Sequence, residues 1–309
     1  MENAVRIQTF SIVAGSEACN ARCPFCISKM TLPFGVEPKE PDVNWRNFEI
    51  ACRFAKQNNC TTVMLTGKGE PTIFPEQVTK FLETLRPYEF PFTELQTNGI
   101  LISEKTDVYS PYLNSWRELG LTTIAVSIVH YEPEKNRQVY LPYKKEYIDL
   151  ARLITTVRRH GLSVRLTCIL SNGFIDSPEK VKRLIQFARE HDAGQLTLTP
   201  VNKPDEELSQ NKEAWNWTKD HHLSDDQWKE IQTYVHVNGN PLMRLVHGAM
   251  VYDVSGQNVC LNNCLSVQAD AEDMRNIIFF PNGDVRFYWQ YPGAILLQGW
   301  PQKKDSKTC

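Results

Sequence analysis

Cys19, Cys23 and Cys26 fall within the run Ala18-Cys-Asn-Ala-Arg-Cys-Pro-Phe-Cys-Ile27. Three thiolates on one short loop can face a common point, and soft ligands of this kind select iron–sulfur clusters, zinc or Cu(I) over magnesium or calcium. A four-iron cluster ordinarily takes four cysteines. With three, one iron is left open to an outside ligand, which separates a reactive centre from an electron relay. Arg22 and Lys29 are near enough in sequence to favour the ionised thiols. Two other chemistries compete. A structural zinc site needs a fourth protein ligand, often a histidine, and the first histidine in the chain is His130. A disulfide would strand one of the three cysteines and require an oxidising compartment.

A loop of this kind needs a scaffold, and the chain alternates short β-branched runs with helical patterns up to about position 200. That alternation predicts an α/β fold, a parallel sheet with helical crossovers. The predicted strands are Arg6–Val13, Thr61–Thr66, Phe92–Thr97, Thr122–Ile128, Ser163–Leu170 and Gln195–Val201. Trp45, Phe48, Cys52 and Ala55 mark the apolar face of one crossover helix, and Val181, Leu184, Ile185 and Ala188 that of another. The latter opens on Ser177-Pro178, a cap followed by proline at the first helical position. Cys52 on a helical face and Cys168 in an apolar strand read as buried small hydrophobes, and Cys60 is treated the same way.

Beyond about Asn202 the character changes. Trp215, Trp217, Trp228 and the pair His221-His222 lie in a polar stretch that reads as a connector, its tryptophans packed under a loop and its histidines at the surface. Ser224-Asp-Asp-Gln227 is a capping box that starts one more helix. Near the end, Asn276–Phe280 and Val285–Trp289 flank Pro281-Asn-Gly-Asp284, a strong hairpin signal whose aromatic faces are expected to cover one end of the sheet. Two units are therefore expected, residues 1–205 and a C-terminal extension, 206–309.

With 309 residues, 41% hydrophobic and 23% charged, the chain can bury a large core and is not disordered. The net charge of −2 gives no electrostatic footprint for nucleic acid. No apolar run is long enough to span a bilayer and the first residues lack a leader pattern, so a cytoplasmic location is expected. Nine cysteines, an odd number unevenly spread, fit a reducing compartment with a metal site.

These pieces, in this order, resemble the radical S-adenosylmethionine enzymes, whose hallmark is Cys-x3-Cys-x2-Cys after the first strand of a partial six-unit, TIM-like barrel. The resemblance covers roughly the first 200 residues and implies a four-iron cluster on Cys19, Cys23 and Cys26, with Phe25 as the aromatic that precedes the last cysteine. Thr66-Gly-Lys-Gly-Glu-Pro-Thr72 is similar to the family's Gly-Gly-Glu-Pro loop, which holds the amino group of S-adenosylmethionine. Lys68 here separates the two glycines, Gly67 and Gly69, ahead of Glu70. Gln96-Thr-Asn-Gly99 resembles the run found in the branch of the molybdenum-cofactor cyclase and the SPASM enzymes, which implies that Thr97 and Asn98 touch the methionine portion. Ser127 matches the family's polar contact to ribose or carboxylate. Arg165 is a further carboxylate partner in this reading, with a strand salt bridge as the alternative.

The resemblance further implies reductive cleavage of S-adenosylmethionine to a 5′-deoxyadenosyl radical, which takes hydrogen from a small-molecule, nucleotide or peptide substrate. An electron donor such as flavodoxin or ferredoxin is implied as a partner. The C-terminal hairpin resembles the SPASM or twitch extension, in which case Cys260, Cys264 and Cys309 are candidate ligands of an auxiliary cluster, against a degenerate extension that kept the fold and lost the metal. Activation of a glycyl-radical enzyme, methylation of RNA, and a non-enzymatic metal- or cluster-binding protein are the alternative functions. His130, Tyr131, Asn172 and Arg286 are the polar candidates near strand ends, His130 being read as more typical of a surface loop.

Overall fold

The computed structural model describes residues 6–26, 28, 39–201, 212–245, 249–262, 273–289 and 293–300. All six predicted strands form: β1 (Arg6–Val13), β2 (Thr62–Thr66), β3 (Phe92–Thr97), β4 (Thr123–Ile128), β5 (Ser163–Leu170) and β6 (Gln195–Pro200). They pair in parallel in chain order. The crossovers carry α1 (Trp45–Gln57), α2 (Pro75–Leu85), α3 (Ile100–Glu104), α4 (Thr106–Glu118), α5 (Pro133–Tyr140), α6 (Leu150–Arg159) and α7 (Pro178–Glu190). Phe48, Cys52 and Ala55 of α1, and Val181, Leu184, Ile185 and Ala188 of α7, are buried against the sheet as their spacing requires. Ser177 caps α7 by accepting from the Lys180 N–H.

Alternation along the strands divides the sheet into two faces of different chemistry. Phe10, Ile12, Val63, Leu65, Leu95, Ile124, Val126, Val164, Leu166, Leu196 and Leu198 are buried in the core with the helices. The opposite, inner face is polar: it carries Met64, Glu94, Gln96, Ser127, Arg165 and Thr167, most of them only half-buried. A sheet buried on one side only by its helices, with a polar concave side, is the arrangement of a barrel whose lumen receives a ligand.

The C-terminal part adds α8 (Lys212–His221), α9 (Asp225–Asn238), β7 (Gly239–Arg244), β8 (Met250–Val254), β9 (Gln257–Leu261), β10 (Asp273–Phe279), β11 (Val285–Arg286) and β12 (Ile295–Leu297). The capping box at Ser224 and Gln227 is made in both directions. The Asn-Gly hairpin is the antiparallel β10–β11 pair, with Gly283 at φ +94° in its turn. Phe280 and Trp289 from this hairpin pack with Val13 and Ile278, at the end of β1. The placing of β9 and β10 goes beyond the periodicities of the sequence. They flank the six strands in parallel, β9 beside β6 and β10 beside β1, in a continuous sheet ordered β12-β11-β10-β1-β2-β3-β4-β5-β6-β9-β8-β7. Among the described residues the parallel part thus has eight strands where six were expected. No helix among the described residues is long and apolar enough to cross a membrane.

Candidate active site

The cysteine loop begins where β1 ends. Ala14 N–H still reaches the Thr66 carbonyl at 2.7 Å, and Gly15 then turns the chain at φ +72°. Its N–H is held by Gln77 Oε1 at 2.6 Å, and a Cβ there would lie 2.4 Å from the Phe74 ring, so the turn has room for glycine alone. Ser16 Oγ then accepts from Ala18 N–H at 3.1 Å. Cys19 is exposed, and Cys23 and Cys26 are half-buried. Arg22 is tied at its backbone to the Tyr140 carbonyl at 2.9 Å, with its guanidinium 4.7 Å from the Tyr143 ring centre. Lys29 lies outside the described residues.

The loop after β2 is packed directly against this one. Glu70 N–H donates to the Ala18 carbonyl at 2.9 Å, and a Cβ on Gly69 would fall 2.0 Å from that same oxygen. Glycine is therefore required by the contact between the two loops. Lys68 is buried; burial lowers the pKa of its ammonium, while Glu17 and Cys26 act in the opposite sense. Its side chain is thus placed near Glu17 and Cys26 of the cysteine loop.

Glu70 joins both loops to a third. Its Oε1 accepts from Thr72 N–H at 3.0 Å, Thr72 Oγ1 at 2.7 Å and Thr97 Oγ1 at 2.6 Å, and its Oε2 from Asn98 N–H at 2.8 Å. Burial pushes the carboxyl pKa up, and those four donors oppose the shift. Asn98 Nδ2 in turn donates to Asn20 Oδ1 at 2.7 Å, in the middle of the cysteine loop. Gly99, at φ +72°, lets the chain turn into α3 while its N–H binds Thr97 Oγ1 at 3.0 Å. Thr97 and Glu70 are thus occupied with each other. Through these bonds they fix the three loops to one another.

Lower on the inner face, Arg165 Nη2 meets Glu94 Oε1 at 2.6 Å across the intervening strand β4, and Gln96 Nε2 reaches both Glu94 Oε1 at 3.3 Å and Met64 Sδ at 3.4 Å. Ala125, in register with both Gln96 and Arg165, leaves the space for that crossing. Ser127, half-buried, is one inward position nearer the strand end, in register with Thr167.

The donors fit an iron–sulfur cluster. Asn20 Nδ2, Tyr140 OH and Tyr147 OH are buried without a hydrogen-bond partner in the structure. Buried donors require acceptors, and an anionic, sulfur-rich group on this loop would supply them. Among the described residues no three His, Cys, Asp or Glu side chains are gathered as a single-ion site.

Sequence comparison gives the same assignment. The sequence model of the radical SAM superfamily matches residues 13–188, more than half of the chain. The chain belongs to the radical SAM superfamily. Among curated relatives, GTP 3′,8-cyclase of Aquifex aeolicus (strain VF5) is 26% identical over 166 residues, 52% of this chain and 47% of the relative. A probable dual-specificity RNA methyltransferase RlmN of Chlorobium phaeobacteroides is 26% identical over 255 residues, 79% of this chain and 65% of the relative. The chain thus matches between about half and two thirds of the length of these relatives. Among solved structures, Streptococcus suis SuiB bound to S-adenosylmethionine superposes at TM-score 0.59 and 14% identity, over 92% of this chain and 60% of that one. Native anSMEcpe with bound AdoMet gives TM-score 0.56 at 13% identity, over 94% and 77%. These structures show the fold, a partial TIM-like barrel.

As a radical SAM protein the chain is an enzyme, and the non-enzymatic reading is overturned. The family implies a four-iron cluster and S-adenosylmethionine. All three motif loops of this radical SAM chain follow consecutive strands and meet at the carboxyl ends of β1, β2 and β3. Three positions carry no motif that marks them in the sequence. Trp217 of α8 lies 5.3 Å from Phe25 and stacks at 4.1 Å on His221, so α8 is packed against the cysteine loop. Tyr140 meets Phe25 edge-on at 6.2 Å, and Tyr147 stands 6.1 Å from Tyr140. Only the aromatic content of these segments could have signalled them.

His130 is a correction: it is 5% exposed, stacked on Tyr131 at 4.5 Å, and its Nδ1 accepts from Glu132 N–H at 3.0 Å, closing its own loop rather than lining the surface. Arg286 is buried and paired with Asp284 at 2.8 Å. Asn172 donates its N–H to the His221 carbonyl at 2.7 Å, beneath α8. Cys260 is buried on β9 in register with Thr197, and burial pushes its thiol up to about 11, against the nearby Arg165. Cys264 and Cys309 lie outside the described residues. Cys52, Cys60 and Cys168 are buried thiols, all with raised pKa from desolvation.

Proposed function

We propose that this radical SAM enzyme modifies a small-molecule, nucleotide or peptide substrate held over the polar inner face of its sheet. The observation that carries the reading is the junction of three loops at one strand end, tied by Glu70 to Thr97 and Asn98 and by Asn98 to Asn20. When bound, the cluster and S-adenosylmethionine supply a deoxyadenosyl radical that removes a hydrogen atom from the substrate. In this reading Cys19, Cys23 and Cys26 hold the cluster. The backbone of Gly67, Lys68 and Gly69, with Asn98 and Ser127, orients S-adenosylmethionine, and Glu70 and Thr97 keep that backbone in place. Phe25, Tyr140 and Trp217 exclude water from the loop. Arg165, engaged by Glu94, acts from the floor of the lumen.

Residues 206–309 contribute β9 and β10 to the two sides of that lumen, which supports direct action on a substrate over activation of a glycyl-radical partner. An electron donor of the flavodoxin or ferredoxin type completes the system. The odd, uneven set of nine cysteines supports a reducing, cytoplasmic setting. An auxiliary cluster on Cys260, Cys264 and Cys309 is read out by iron content after anaerobic reconstitution, about eight irons per chain against about four without it.

The test is to reconstitute the protein anaerobically, reduce it with dithionite in the presence of S-adenosylmethionine, and quantify 5′-deoxyadenosine. Wild type is expected to form it and the Cys19/Cys23/Cys26→Ala variant to form none; equal traces from both would sink the proposal. The match to an RNA methyltransferase over 79% of this chain favours methyl transfer as the second reading. It predicts S-adenosylhomocysteine as an additional product when RNA is supplied.

A further inference from the structure

Tyr140 meets the cysteine loop and Tyr147 packs on Tyr140, both with their hydroxyls unspent. Tyr140 is 1% exposed at the end of α5, and neither its OH nor that of Tyr147 has a hydrogen-bond partner in the structure. A buried hydroxyl ordinarily finds one. Tyr140 is anchored by its carbonyl to Arg22 N–H, between Cys19 and Cys23, and by its edge contact to Phe25, between Cys23 and Cys26. Tyr147 packs on Tyr140 from the other side. Tyr140 belongs to the buried hydrophobic cluster, and Tyr147, Cys23 and Phe25 all border it.

We propose that the hydroxyls of Tyr140 and Tyr147 donate hydrogen bonds to sulfur of a cluster carried by Cys19, Cys23 and Cys26, and so set its reduction potential. This rests on the cluster assignment above and adds a positioning role that the motif residues do not supply. An O–H directed at a thiolate or sulfide offsets negative charge, and the offset matters most in the more negative, reduced state. The hydroxyls therefore make reduction easier. Burial, with Cys23 as the next contribution in each case, raises both phenol pKa values, so each keeps the proton that it would donate. Tyr→Phe removes the donor and keeps the packing.

The experiment is a mediated redox titration of the reconstituted 309-residue protein, followed by the electron paramagnetic resonance of the reduced cluster without S-adenosylmethionine. Wild type, Tyr140→Phe, Tyr147→Phe and the double variant are compared at matched iron content, with Tyr88→Phe, whose hydroxyl points to Glu49 on another helix, as control. At the wild-type midpoint the ratio of reduced to oxidised cluster is expected to fall about fivefold for each hydroxyl lost, from the size of one hydrogen bond, and further in the double variant. Tyr88→Phe should leave it unchanged. Proton couplings that exchange in D2O should be present in wild type and reduced in the variants, a signature that packing alone would not move. An unchanged midpoint in the double variant, or wild-type spectra without exchangeable couplings, overturns the proposal. Failure of wild type to take up iron overturns the cluster assignment itself, a result distinct from either.

Discussion

Glu70 shows how one side chain can tie a site together. Its two oxygens accept from four donors on two loops, and no neutral residue offers that many acceptor sites at one place. Glu70→Gln turns an NH2 towards at least one of those donors. It should cost about 2–4 kcal/mol in urea unfolding and lower the iron bound after reconstitution; a stability within 0.5 kcal/mol of wild type, taken as roughly the noise of such measurements, would contradict this. Gly69 is the sharper case. Because a Cβ would sit 2.0 Å from the Ala18 carbonyl, Gly69→Ala must separate the second loop from the cysteine loop. The expected result is a folded protein with far-ultraviolet circular dichroism like wild type and less than about half its cluster absorbance, since only the local contact is lost.

At the scale of the elements, the inner face is tied across strands by side chains. Glu94 on β3 and Arg165 on β5 bond over Ala125, with side chains only 9% and 21% exposed. Removing one partner strands the other charge, so Arg165→Met should destabilise by about 2–4 kcal/mol, and Arg165→Met with Glu94→Gln by less than the sum of the two singles. A double-mutant cycle checks this, and strict additivity would refute it. The loop after β4 carries a pH dependence. Burial lowers the pKa of His130 from its ordinary value near 6.5, and its Nδ1 accepts a hydrogen bond that protonation would break. A depressed folded-state pKa gives stability that is fully present above the unfolded pKa and is lost as pH falls through the folded one. Wild type should therefore lose stability relative to His130→Asn as the pH falls from the unfolded value towards the folded one. The loss should be about 1 kcal/mol, the size of the hydrogen bond that protonation breaks. Urea midpoints measured across that range for both proteins decide it.

For the whole molecule, the consequential feature is that β9 and β10 flank the six-stranded set in parallel, both drawn from residues beyond 205. Gln257 adds a buried tie, its Nε2 donating to the Ala193 carbonyl at 3.0 Å. Strands on both sides of that boundary share one ladder of hydrogen bonds, so the C-terminal part should not unfold separately. Denaturation followed by tryptophan fluorescence and by circular dichroism should give coincident transitions; a separate early phase would show 206–309 to be independently stable.

The local pieces were legible in the sequence because each is written at short range. Cysteine spacing, the Gly67–Glu70 and Thr97–Gly99 runs, the strand and helix periodicities, the Ser177 and Ser224 caps and the Asn-Gly hairpin all depend on neighbours a few positions apart. The bond from Asn98 to Asn20 spans 78 positions, and no periodicity encodes it. The same holds for the packing of Trp217 on Phe25, for the salt bridge across β4, and for His130, whose burial depends on what closes over it. Why β10 joins β1 is likewise a matter of long-range structure: a strand's own residues state that it is apolar and extended, while its neighbour is decided by which sheet edge the rest of the chain leaves open. The order of residues already contains the chemistry available to this protein. Which groups meet is a matter of the fold, because burial and long-range contact are properties of the assembled chain.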